Sequence, residues 1–164
     1  MPENSSNPDL VALGTLKTYL GELTVQWPDG GSGQLEQIDV GYMSKPVYNP
    51  YVSLHTTGSR APVRHLGGGA GKRTRQFEIN AIVNIEYEDP DPVRGFERLT
   101  QLRWDVFLHL VQQAKNDLGT GVEFTDLDDA FVQTFNEDSG GFEDWGFFGQ
   151  ILIPLKIILR GSSL

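Results

Sequence analysis

At 164 residues, with 38% hydrophobic and 10% aromatic content, the chain has the size of one domain that buries a substantial core. Its formal net charge of −9 argues against general nucleic-acid binding, which leaves a basic footprint, and the lack of cysteine removes disulfide frameworks and thiolate chemistry. No apolar run approaches the ~20 residues that span a membrane, and the first ten residues lack a charged stretch followed by an apolar one, so neither a span nor a secretory signal is expected.

Met1 to Ser6 are polar and read as a frayed end. Asn7-Pro8-Asp9 then supplies a cap, a proline suited to the first helical position and a carboxylate for the positive end of the dipole. With Leu10, Val11, Leu13, Leu16 and Leu20 as an apolar stripe and Gly21 as a stop, this predicts a helix from Pro8 to Leu20. A short extended piece, Glu22 to Gln26, leads into a turn at Pro28-Asp29-Gly30-Gly31. Leu35 to Tyr42 reads as a strand, Met43 to Pro50 as a loop, and Tyr51 to Thr57 as a β-rich strand.

Gln76 to Glu88 organises the chain. Phe77, Ile79, Ala81, Val83, Ile85 and Tyr87 fall on one face and polar residues on the other, with Ile82 alone breaking the alternation. Asp89-Pro90-Asp91-Pro92 ends this strand, because proline cannot donate to the ladder. Val93 to Leu118 follows as the main helix. Phe96, Leu99, Leu102, Val106, Phe107, Leu110, Val111, Ala114 and Leu118 form its core stripe, and Trp104 covers an edge or faces a neighbour. A strand is expected around Phe131 to Phe135, then a turn from Asn136 to Gly141. Trp145 to Arg160 is a second long alternating strand, in which Pro154 predicts an edge or a bulge. Phe148, Leu152 and Ile158 are apolar on its nominal outer face, which predicts covering by another element or subunit. Together these elements predict a single α+β domain. Its sheet is mixed but mainly antiparallel, with a long amphipathic helix on one face, a short N-terminal helix and a projecting, flexible hairpin loop over residues 58–75.

Charge is unevenly spread. Between Gly58 and Arg75 stand Arg60, Arg64, Lys72, Arg73 and Arg75 with no carboxylate. Between Asn116 and Leu155 there is no Lys or Arg, and Asp126, Asp128, Asp129, Glu137 and Asp138 lie among the carboxylates. This is either a solvated loop and a solvated face or a pair of patches by which copies of the chain meet. The stretch Leu66-Gly67-Gly68-Gly69-Ala70-Gly71-Lys72-Arg73 fails as a phosphate loop: Leu66 stands at the first glycine position and Arg73 at the hydroxyl position. His55, His65 and His109 lack ligand spacing, and Asp126-Leu127-Asp128-Asp129 lacks the glycine and closing glutamate of a calcium loop. No nucleophile elbow occurs. The chain is therefore expected to be neither an enzyme nor a binder of metal or cofactor.

The order of elements resembles the tail-terminator (tail-completion) proteins of long-tailed bacteriophages and the related neck proteins. A short N-terminal helix precedes strands, then Pro50-Tyr51-Val52, a Gly- and Arg-rich hairpin tip and a long alternating strand. Asp89-Pro90-Asp91, an amphipathic helix, an acidic region and a C-terminal strand ending Ile157-Ile158-Leu159-Arg160 follow. The resemblance implies a homo-oligomeric ring, usually a hexamer, in the neck of the virion. Assembled in the host cytoplasm, it would cap the tail tube and join it to the head–tail connector, and DNA would pass through without specific binding. Arg60, Arg64, Lys72, Arg73 and Arg75 are then expected to dock on the tube, the connector or a neighbouring subunit. Another neck component, a tube protein, or a non-viral binding module are the alternatives.

Overall fold

The computed structural model describes residues 7–41, 48–60, 73–115, 122–124, 131–137 and 145–161. The elements run α1 (Pro8–Gly21), β1 (Thr24–Gln26), β2 (Ser32–Gln34), β3 (Gln37–Val40), β4 (Tyr51–Arg60), β5 (Arg73–Asp89), α2 (Pro92–Lys115), β6 (Val122–Phe124), β7 (Phe131–Glu137) and β8 (Trp145–Gly161). The α+β expectation holds: two helices pack on a mixed, mainly antiparallel sheet.

That sheet has the order β3-β4-β5-β8-β6, with β7 also pairing to β8, and β3–β4 is its parallel pair. Its spine is β5 against β8. Both strands are 17 residues long and pair without a break from Arg73↔Gly161 to Asp89↔Trp145. β4 flanks β5 antiparallel, so β4 and β5 form the arms of the predicted hairpin. Paired residues share a face, so the alternation of β5 propagates across the sheet. Ile79, Ala81, Val83 and Ile85 are buried with Ile151, Ile153, Leu155 and Ile157, and Val52 and Leu54 of β4 extend the same layer. The helices cover this layer, α1 through Ala12, Leu16 and Leu20 and α2 through Leu99, Leu102, Val106 and Leu110.

Local chemistry sets the helix ends. The Asn7 side chain accepts from the backbone N–H of Asp9 at 2.9 Å and of Leu10 at 3.3 Å, as the cap reading predicts. Asp91 does the same for α2, accepting from Val93 N and Arg94 N, so the helix starts at Pro92 rather than Val93. Gly95 marks where α2 crosses β8 most closely: a Cβ there would collide with the Phe147 ring and lie 2.9 Å from Asp89 Cβ.

Five expectations need correction. The loop expected over residues 58–75 is strand at both ends, since β4 runs to Arg60 and β5 begins at Arg73. Leu35 to Tyr42 is not one strand: only Gln37–Val40 is extended there, and Ser32–Gln34 forms a hairpin with β1 around Gly30 and Gly31, whose φ values of +97° and +86° suit glycine. Phe96 is not a core residue but is 45% exposed. The turn expected from Asn136 starts later, because β7 continues through Glu137 on β8. Pro154 is on neither an edge strand nor a bulge, since β8 is interior and its register with β5 is unshifted through Asn80↔Pro154. On the far side of β8, among the described residues, β7 pairs as far as Leu152 and β6 begins at Leu155.

Candidate functional site

Among the described residues, both ion pairs lie at the corner where β5 meets α2. Asp89, its side chain 3% exposed, receives Arg94 Nε at 3.1 and 3.0 Å, Arg94 Nη2 at 2.7 Å, the Tyr87 hydroxyl at 3.1 Å and the Asp91 N–H at 2.8 Å. The Tyr87 hydroxyl in turn accepts from Arg98 Nη1 at 3.0 Å. Arg98 then reaches back to Asp29 in the β1–β2 turn through Nε at 3.1 Å and Nη2 at 2.5 Å, with its guanidinium 5.2 Å from the Trp27 ring centroid. This chain of charges ties the hairpin, the end of β5 and the first turns of α2 into one unit.

The electrostatics follow from those contacts. The Arg94 hydrogen bonds hold the Asp89 carboxyl below the ordinary carboxylate range, against the opposing effect of its burial. Arg98 lowers Asp29 in the same way, and burial raises the Tyr87 phenol. No buried side-chain nitrogen or oxygen of the network lacks a hydrogen-bond partner, so it reads as a device that fixes geometry.

What it fixes is an exposed apolar patch. Val93 and Phe96, on the first turns of α2, are 66% and 45% exposed. Trp145, 46% exposed, pairs with Asp89 at the start of β8. Asp91 and Glu97 are exposed carboxylates in the same stretch, whereas Glu88 alternates with Tyr87 and Asp89 and belongs to the opposite sheet face. Along α2 the solvent-facing stripe continues through Trp104, 54% exposed and 5.8 Å from the Phe107 ring, to Leu108. The predicted single stripe is therefore two. Leu99, Leu102, Val106 and Leu110 face the sheet, and Val93, Phe96, Trp104 and Leu108 face away. The signal was present in the sequence as apolar residues at three- to eight-residue steps out of phase with the core set.

The sheet surface opposite the helices is mixed. Ile82, the break in the β5 alternation, lies opposite Leu152, which lies opposite Phe131 of β7, so one apolar row crosses three strands. Phe148 and Leu152 are half-buried. Beside that row, Gln150 Nε2 donates to the Oδ1 of buried Asn84 at 3.0 Å, and His55 Nε2 lies 3.2 Å from the hydroxyl of fully buried Ser53. A serine–histidine contact has the reach of a nucleophile and its base, but a Ser53 hydroxyl with no solvent access meets no substrate. Burial also lowers the His55 pKa. At the rim Asn49 completes the β5 ladder with its side chain, donating to Glu88 O at 2.7 Å and accepting from Glu88 N at 3.0 Å.

The predicted charged residues fall at opposite ends of the sheet. Arg60 is opposite Glu78, and Arg73 and Arg75 are opposite Gly161 and Leu159, at the hairpin end. Glu137 is opposite Gly146, which pairs with Glu88 at the corner end. Arg64, Lys72, Asp126, Asp128, Asp129 and Asp138 lie outside the described residues, as do the side chains of Arg60, Arg73, Arg75, Glu137 and Ile158. Among the described residues no group of three or more His, Asp or Glu is arranged to hold a metal ion, and no helix is long and apolar enough to cross a membrane. The chain matches no protein-family model, and no curated protein sequence matches it.

Proposed function

We propose that the chain is a subunit of a homo-oligomeric ring in the neck of a long-tailed phage, a tail terminator that caps the tail tube and joins it to the head connector. The observation that carries this reading is the disposition of charge along the β5–β8 spine. Arg73, Arg75 and Arg160 stand at the hairpin end and Glu88, Asp89 and Glu137 at the corner end, roughly 50 Å away at strand rise, with Glu78 and Glu123 between them in the row of Arg60 and Lys156. A ring closes through a heterologous contact in which each subunit presents two unlike, complementary surfaces. A rigid spine with opposite charge at its two ends meets that requirement. The order of elements, which resembles tail terminators throughout, supports the same reading. DNA would pass through a lumen of a protein whose net charge of −9 does not grip phosphates.

The test is the mass of the purified protein in solution, with negative-stain images of the particles and of tail tubes incubated with it. Rings with a central hole that sit on tube ends and stop their growth are expected. Rings that bind the connector but never tubes would instead favour another neck component.

A further inference from the structure

We infer that Asp29-Gly30, at the tip of the β1–β2 hairpin, is the chain's site of self-modification, converting to isoaspartate through a succinimide, and that Arg98 is the gate that holds the conversion back. Gly30 is the only glycine in the sequence that follows an aspartate or an asparagine. In the first step the Gly30 nitrogen attacks Cγ of Asp29. The N–Cγ bond forms, and a carboxyl oxygen leaves as water with the amide proton. In the second step water adds to the ring. Opening at Cγ restores aspartate, and opening at the Asp29 main-chain carbonyl leaves isoaspartate. Water is the one co-reactant, and Asp29, Gly30 and Gly31 are all exposed to it. Nothing crowds the attacking nitrogen, since even a Cβ built on Gly30 would meet no atom within 4 Å.

In the folded chain the reacting atoms are engaged elsewhere. Arg98 Nε donates to Asp29 Oδ1 at 3.1 Å and Nη2 to Oδ2 at 2.5 Å, so both carboxyl oxygens are turned toward α2. The Gly30 N–H donates to Trp27 O at 3.1 Å. Arg98 also keeps the carboxyl ionised, and a carboxylate is a poor target for an amide nitrogen. The guanidinium is itself positioned by the Tyr87 hydroxyl and the Trp27 ring. Attack therefore waits on an opening of the tip. The hairpin has three residues in each strand, too few to hold the tip unaided, so the Arg98 contact sets how rarely it opens. Conversion adds a methylene to the backbone at the tip and carries the carboxylate off Arg98. One such event unclasps the hairpin from α2.

Ageing the purified protein at pH 7 beside the free peptide of residues 24–34 tests this, with isoaspartate at residue 29 read by electron-transfer dissociation mass spectrometry. Wild type is expected to convert about fivefold or more slowly than the peptide, and Arg98→Met about fivefold faster than wild type, the opening ratio set by an exposed ion pair at the top of its usual range. Arg98→Lys keeps the charge without the fork and is expected to fall between the two. It carries the test if circular dichroism shows the methionine variant unfolded. Wild type converting at the peptide's rate, or variants converting no faster than wild type, overturns the gate. A peptide that converts while no folded protein does overturns the site. Each of these results leaves the ring reading untouched, because that reading rests on the ends of the sheet.

Discussion

Asp89 is the residue on which the corner depends. Its carboxyl is buried and charged, and what makes that tolerable is the pair of Arg94 contacts with the Tyr87 hydroxyl and the Asp91 N–H. Asp89→Asn keeps the shape but removes the charge, and is expected to cost about 2 kcal/mol. That is below the 3–5 typical of a broken buried pair, because Arg94 is half exposed and can turn to water. The pH dependence has a definite sign. A carboxyl whose native pKa is depressed contributes stability in full above the ordinary carboxylate pKa of about 4, and that contribution fades as pH falls toward the native value. Urea unfolding at pH 7 and at pH 3 should therefore show the gap between wild type and Asp89→Asn narrowing at the lower pH. A gap that is constant or grows would mean the carboxylate is not what the corner gains from Asp89. Little of this was legible beforehand. The Asp89-Pro90-Asp91-Pro92 run announced the end of a strand, and Asp91 before Pro92 carried a cap signal. That Asp89 would face Arg94, and Arg94's neighbour one turn on would face Asp29, depends on a turn geometry that brings residues 69 positions apart together.

At the scale of elements, strand lengths and faces were readable because one side of β5 and β8 is uniformly apolar. Side-chain direction alternates, so a one-residue error would have put Ile79 or Ile153 in water. Two features escaped for the same reason, namely that periodicity does not name the partner. Pro154 looked like an edge signal. It lies instead in an interior strand whose register with β5 is unshifted. In α2 the two apolar stripes overlap in sequence, and only contact with the sheet separates Leu99 from Phe96. Gly95 sits where that contact is closest. Alanine would gain about 1 kcal/mol of helix propensity, but the buried Phe147 ring cannot yield without shifting the β8 end. Overpacking of this kind costs about 1–3 kcal/mol, so Gly95→Ala should be net destabilising in thermal unfolding. Thr100 carries the opposite prediction. Its hydroxyl is buried without a hydrogen-bond partner, and Thr100→Val replaces it with a methyl of similar shape. Valine and threonine have similar helix propensity, so removal of the unpaired hydroxyl should decide the sign. The variant should be more stable by about 1 kcal/mol in urea, and a loss of stability would mean that the hydroxyl is satisfied in solution.

On the scale of the whole molecule, the composition gave a net charge but not its geometry. The basic run and the acidic run are about 60 residues apart in sequence. Nothing in their spacing says whether they meet within one chain or face opposite ways. For the described residues of those runs, strand register places Arg73 and Arg75 at one end, Glu137 at the other and Glu123 between them. Assembly driven by such ends should separate from folding in its response to salt. Contacts between exposed charges are screened within about 3 Å at 1 M ionic strength, whereas the core formed by α1, α2 and the buried sheet face is apolar and gains slightly from added salt. Raising sodium chloride from 0.1 to 1 M is expected to weaken self-association about tenfold or more, read from sedimentation velocity over a concentration series. Over the same range the thermal midpoint should stay level or rise. If association is unchanged across that range, the charged ends of the spine contribute nothing to it. If monomer stability falls in step with association, the charges hold the fold and not the contact between copies.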